Sequence, residues 1–209
     1  MNTFPLIRTI IKRERTAGMY RSTSAFLSKF TSLLPAIFIQ IAILVIPIYW
    51  IIGMDPRSEK FSVYLGVIAL HIVVSSTMGL TIGSAVKNIQ VGQIITPLIA
   101  VLFIVFGGLF ANLDSIGTWI SWIQYISPVA NTNKALVQNE FKSSDFKCGL
   151  QRGDGTCVLL RGEDVVKNFG LDSPELAIVV GVNAAVLGFF LITGIGCFTR
   201  TTKPMIRLN

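Results

Sequence analysis

The sequence predicts an all-α membrane protein: four spanning helices, an amphipathic helix ahead of them, a short re-entrant helix and an outer loop holding two cysteines. Three observations carry this. First, the runs Leu33–Ile52, Phe61–Val86, Ile94–Ala111 and Leu176–Phe198 contain no Asp, Glu, Lys or Arg. Each is about long enough to cross roughly 30 Å of hydrocarbon at about 1.5 Å per helical residue, and only a helix satisfies its own backbone there. Second, 52% of the 209 residues are hydrophobic and only 14% charged, the balance expected where lipid replaces much of the core. Third, the charges sort by side. With the N-terminus inside, Arg8, Lys12, Arg13, Arg15, Arg21, Lys29, Lys87, Arg200, Lys203 and Arg207 face the cytosol with one acid, Glu14, while the outer segments hold 8 basic and 10 acidic residues. Lys and Arg resist translocation, so both termini are expected in the cytosol and the net charge of +7 needs no nucleic-acid partner. The partner it does imply is the lipid bilayer, with the plasma membrane as the expected location.

The elements follow in order. Residues 1–32 form a basic cytoplasmic segment in which Ile7, Ile10 and Ile11 share one helical face and Arg8, Lys12 and Arg15 another. That pattern suits a helix lying on anionic lipid or docked to a cytosolic partner. Residues 33–111 hold three spans. Pro35 and Pro47 interrupt the first, freeing backbone carbonyls, and Ser75, Gly79 and Gly83 form a small-residue stripe on the second. Residues 112–174 comprise a re-entrant element and the extracellular loop. Trp119, Trp122, Ile123 and Ile126 share a face, and Trp119, Trp122 and Tyr125 mark the headgroup level. From 131 onward the segment reads as loop, with Cys148 and Cys157 in a Gly-rich context. Paired, they close a loop of about ten residues worth roughly 2.7 kcal/mol in the chain-entropy account; otherwise they are two surface thiols. The last span occupies 175–198, with Cys197 as a small apolar filler, and 199–209 is a cytoplasmic tail.

Catalytic signatures are missing from the sequence. It has no G-x-x-x-x-G-K-[ST], H-E-x-x-H or G-x-S-x-G, and no Cys/His cluster at metal spacing. The single histidine, His71, sits in the second span, where a proton relay would want a carboxylate partner; a hydrogen-bonded packing role fits better. The chain is therefore expected to bind no metal or cofactor and not to be an enzyme by itself. A proton- or sodium-driven carrier would show paired intramembrane charges or inverted repeats, and neither is present. A structural or adhesion tetraspan protein is the alternative.

Several motifs decide against it. Phe4-Pro5 followed by Arg13-Glu14-Arg15-Thr16-Ala17-Gly18-Met19-Tyr20-Arg21 resembles the loop before the third span of ABC transporters of the G subfamily, the white/brown-type half-transporters. Gly108-Leu109-Phe110-Ala111-Asn112-Leu113, Trp119-Ile120-Ser121-Trp122-Ile123-Gln124-Tyr125-Ile126-Ser127-Pro128 and Asn139-Glu140-Phe141 are similar to that family's signature at the end of the fifth span and after it. Gly162-Glu163-Asp164 before the last span continues the series. The resemblance implies the C-terminal part of an ABC-2 type membrane domain, spans three to six, belonging to an ATP-driven exporter of hydrophobic or lipid-like substrates. It also implies an ATP-binding domain and two spans ahead of residue 1, so a truncated reading of a longer gene is expected.

By the same resemblance, Ile10, Ile11, Glu14 and Tyr20 belong to a coupling helix set against the ATP-binding domain. Thr96, Pro97, Val101 and Ile104 line the translocation path, or else simply pack. Leu109 and Phe110 form the outer gate, with Phe110 where the family often has a second leucine, and Asn131 stands where it usually has an aromatic or basic residue. Cys148 and Cys157 correspond to the outer-loop disulfide. ATP and Mg are expected only on a nucleotide-binding domain, from the missing part or a partner chain, and the half-transporter pairs as a homodimer or heterodimer.

Overall fold

The computed structural model of the chain describes residues 10–11, 13–86, 88–107, 122–142, 162, 166–167, 171 and 175–202. Among them all regular structure is helical: α1 (Ser22–Gln40), a π-helical turn (Ile41–Val45), α2 (Ile46–Ile52), α3 (Ser58–Ala85), α4 (Ile89–Val105), α5 (Trp122–Ile126), α6 (Pro128–Phe141) and α7 (Leu176–Thr201). Ahead of α1, residues 10–11 and 13–16 are helical too.

Among the described residues three stretches are long and apolar enough to cross a membrane: Ser22–Ile52 with 31 residues, Ser58–Ala85 with 28 and Leu176–Thr201 with 26. They coincide with the expected first, second and last spans. Large apolar side chains on them face outward, among them Phe38, Ile51 and Ile192, which suits a lipid surroundings and not water. The run expected over Ile94–Ala111 differs. Its helix, α4, starts earlier at Ile89, stops at Val105 and has 17 residues, a rise of about 26 Å. The stop has a local cause: Gly107 N–H bonds Ile104 O at 3.0 Å, tightening the last turn. Asn133 Nδ2 then satisfies Gly107 O at 2.9 Å.

Proline accounts for the irregularity inside the first stretch. Pro47 has no N–H for the carbonyl four residues back and its ring presses on that turn. The helix widens to π geometry over Ile41–Val45, immediately before it. Two helical segments end on a left-handed glycine. Gly18 has φ +74° and Gly53 φ +76°. Met19 N–H bonds Glu14 O and Gly18 N–H bonds Arg15 O, the paired bonds of a Schellman turn; Met54 to Tyr49 and Gly53 to Trp50 repeat it. A β-carbon is disfavoured at that φ, so glycine fits both stops.

By its contacts the chain divides into two compact units. The first comprises Met1–Gln40, Ile72–Val101 and Ala184–Asn209. Its core is Ile11, Phe26, Leu80 and Phe198, flanked by Tyr20, Ala25, Phe30, Leu33, Leu191 and Ile195. Here α3 and α7 approach closely through hydroxyls: Thr81 Oγ1 donates to Phe190 O at 2.9 Å, Ser84 Oγ to Gly194 O at 3.4 Å and Thr201 Oγ1 to Ser84 O at 3.1 Å. Gly194 permits it, since a β-carbon there would lie 2.7 Å from Phe26 Cζ and 2.7 Å from Thr81 Oγ1.

The second unit comprises Ile41–His71 and Leu102–Asn183. Val67, Ala135 and Val179 form one cluster, and Val166 and Leu171 another. Tyr49, fully buried, packs edge-on against Phe61 with ring centroids 5.0 Å apart and tilted against Tyr64 at 4.9 Å. A helix, α6, occupies 128–141, most of which was expected as loop. It starts by rule: Ser127 Oγ caps Ala130 N–H at 3.2 Å, with Pro128 in the first turn. The loop expectation failed because α6 buries its polar residues, Asn131, Thr132, Lys134 and Gln138, so its inward face is not the apolar stripe that marks an ordinary amphipathic helix.

Candidate functional site

Ile10, Ile11, Glu14 and Tyr20, singled out as coupling residues, come together in the first unit. They line one open cavity of about 600 Å³ with Ser24, Ala25, Ser28, Lys29 and Ser32 of α1. Ile11 points into the core and Ile10 stays half exposed, so the segment is anchored by one isoleucine and presents the other. The Schellman turn at Gly18 brings Tyr20 back over Glu14, and Tyr20 OH donates to Glu14 Oε2 at 2.5 Å. Burial, then this bond and the carboxylate charge, push the Tyr20 hydroxyl up to about 12, so it remains a donor throughout the physiological range. The serines at i, i+4 and i+8 of α1 were missed in the sequence, although their spacing is that of one helical face.

The next side chain of the same segment, Arg15, turns elsewhere. Its Nη1 donates to Thr202 O at 2.6 Å and Thr202 Oγ1 at 2.7 Å. No sequence signal pairs residues so far apart.

On α4, Pro97, Val101 and Ile104 are exposed and Thr96 is half-buried. Thr96 Oγ1 donates to Gly92 O at 2.8 Å, beside the turn that Pro97 deprives of a backbone donor. An apolar face is thus open, but Ile94, Leu98 and Leu102 are exposed as well, so the helix does not single out a path. Leu109, Phe110, Cys148 and Cys157 lie outside the described residues. So does Trp119.

The second unit holds a charged cluster that sequence reasoning missed. Asp55 N–H donates to Glu140 Oε1 at 2.9 Å; Lys60 Nζ donates to Glu140 O at 2.8 Å and lies 3.1 Å from Asp55 Oδ2; Asn139 Nδ2 donates to Lys60 O at 2.9 Å. Arg57 Nε donates to Asp55 Oδ2 at 2.7 Å. The Arg57 guanidinium, helped by Lys60, holds the Asp55 carboxyl well below the usual carboxylate range, and Asp55 raises Arg57 in return. His71 has the packing role expected: its Nδ1 lies 2.9 Å from Thr132 Oγ1, which also accepts from Asn183 Nδ2 at 3.3 Å. Among the described residues no three His, Cys, Asp or Glu side chains converge to hold a metal.

The profile of the ABC-2 type transporter family matches residues 1–141. Among curated relatives, ABC transporter G family member 1 of Dictyostelium discoideum is 32% identical over 82% of this chain and 22% of its own length. ABC transporter G family member 23 of Arabidopsis thaliana is 28% identical over 92% and 31%. The broad substrate specificity ATP-binding cassette transporter ABCG2 of Rattus norvegicus is 30% identical over 81% and 27%. This chain therefore spans between about a fifth and a third of the length of these relatives.

Proposed function

Because the chain belongs to the ABC-2 type transporter family, among its G-type members, we propose that it is the transmitting and substrate-facing wall of an ATP-driven exporter of hydrophobic or lipid-like compounds. It is the membrane part of an ABC transporter; ATP hydrolysis belongs to a nucleotide-binding domain, where ATP and Mg bind. The observation that supports the transmitting role is the gathering of Ile10, Ile11, Glu14 and Tyr20 around one open cavity whose floor joins the core through Ile11. A surface of the nucleotide-binding domain seated there would push on α1, α3 and α7 through the cluster of Ile11, Phe26, Leu80 and Phe198.

In this reading Ser22–Ile52, α3, α4 with the residues after it, and α7 cross the bilayer, both chain ends face the cytosol, and the membrane is the plasma membrane. The Pro97, Val101 and Ile104 face of α4, with Thr96, meets the substrate. Leu109 and Phe110 close the path against a second half-transporter, identical or different, and Cys148 pairs with Cys157 on the outside.

The test uses inside-out vesicles carrying the full-length transporter. ATP-dependent accumulation of a hydrophobic fluorescent probe is expected, and Glu14→Lys should lower the amount exported per ATP hydrolysed by about tenfold, the scale of a coupling energy. Unchanged export by that variant would remove Glu14 from coupling, and no ATP-dependent accumulation by the unaltered transporter would remove the exporter reading.

A further inference from the structure

A helix leaves its final carbonyls without intrahelical donors, and α7 stops at Thr201 with Thr202 completely buried behind it. The buried Thr202 carbonyl takes a donor from 187 positions away: Arg15 Nη1, at 2.6 Å. The same nitrogen reaches Thr202 Oγ1 at 2.7 Å, and that hydroxyl donates onward to Phe198 O at 2.6 Å, which fixes its oxygen as the acceptor. A guanidinium at the negative end of the helix dipole forms a charge-assisted bond, stronger than the neutral hydroxyl bonds between α3 and α7.

Two further contacts join the same pieces of chain. Ile11 is buried in one cluster with Phe198, and Ser22 Oγ lies 3.1 Å from Thr199 Oγ1. The segment that carries the proposed coupling residues is thus tied to the end of the last span by a charged and an apolar contact of its own, and the start of α1, with which it is continuous in sequence, adds a neutral polar one. Withdrawing Arg15 would strand the carbonyl that is buried here, which is unfavourable.

We propose that Arg15 is a positioning residue that makes the end of α7 travel with the coupling segment, so that the ATP-driven push enters the last span directly. This rests on the exporter reading above. The push reaches α1 through the peptide chain and α7 through Arg15, two levers moved from one point.

Full-length transporter in inside-out vesicles, in a Cys197→Ala background, provides the test. Arg15→Cys together with Thr202→Cys, joined by a bis-maleimide matched to the reach of an arginine side chain, should keep export per ATP within about twofold of the unaltered protein, while the same pair left unjoined and Arg15→Gln should each lose about tenfold. Arg15→Lys, which keeps one donor, should fall between. A joined protein that hydrolyses ATP but exports nothing would show that the two pieces must part, and would overturn the proposal. So would an Arg15→Gln ratio equal to wild type; should that variant fail to reach the membrane, the joined protein alone decides. Failure of the exporter reading is distinguishable, because the unaltered transporter would then give no ATP-dependent signal.

Discussion

In the first unit α3 and α7 meet side chain to backbone, the Thr81 and Ser84 hydroxyls on the carbonyls of Phe190 and Gly194, with Phe26 and Thr81 standing where a β-carbon of Gly194 would be. In the second unit α3, α6 and α7 meet through side chains strung in a line, His71 to Thr132 to Asn183. The first kind of contact fails when volume is added, the second when polarity is removed. That difference separates a surface where helices touch directly from one where a polar helix fills the space between them.

The largest effect should come from breaking the first contact by size. Gly194→Val places a branched side chain against Phe26 and Thr81, and overpacking of that kind destabilises by about 3 kcal/mol; thermal unfolding in detergent should show a drop of several degrees, and an unchanged midpoint would mean that α7 does not approach α3 this closely. Next, Thr132→Val keeps the shape of α6 but leaves His71 Nδ1 and Asn183 Nδ2 buried without their shared partner, a loss of about 1–2 kcal/mol. The same exchange at Thr81 gives the smallest effect and the sharpest comparison. Thr81 Oγ1 bonds the carbonyls of Thr77 and Phe190, which sit inside helices, so Thr81→Val strands no donor and should lose only about 0.6 kcal/mol, the average for such bonds in membranes. Equal losses at Thr81 and Thr132 would erase the distinction between the two units.

The sequence made the spans legible because a charge-free run of about twenty residues has few other uses. Helical spacing put Ile10 and Ile11 on one face, and the resemblance carried by the motif around Gly18 brought in Glu14 and Tyr20. Most of α6 was illegible for the opposite reason: Asn131, Thr132, Lys134 and Gln138 point inward, so a pattern rule that equates polar with exposed reads the helix as loop. The end of α4 was not legible because apolar character runs on past Val105, whereas the i to i−4 bonding ends at Phe106 and Gly107 turns back to Ile104. Contacts such as Arg15 to Thr202 and Lys60 to Glu140 depend on how distant helices are brought together, which no local spacing encodes.

The Schellman turn at Gly18 also acts as a ruler. Only residues 17–21 connect the helical turns over 13–16 to α1, and the reversal uses its bonds to Glu14 and Arg15 with no spare chain. Which side chains line the cavity is therefore set by the length of the connector as much as by their identity. Evolution can exchange residues around that cavity one at a time, but adding or removing a single position in the connector would reassign every one of them at once.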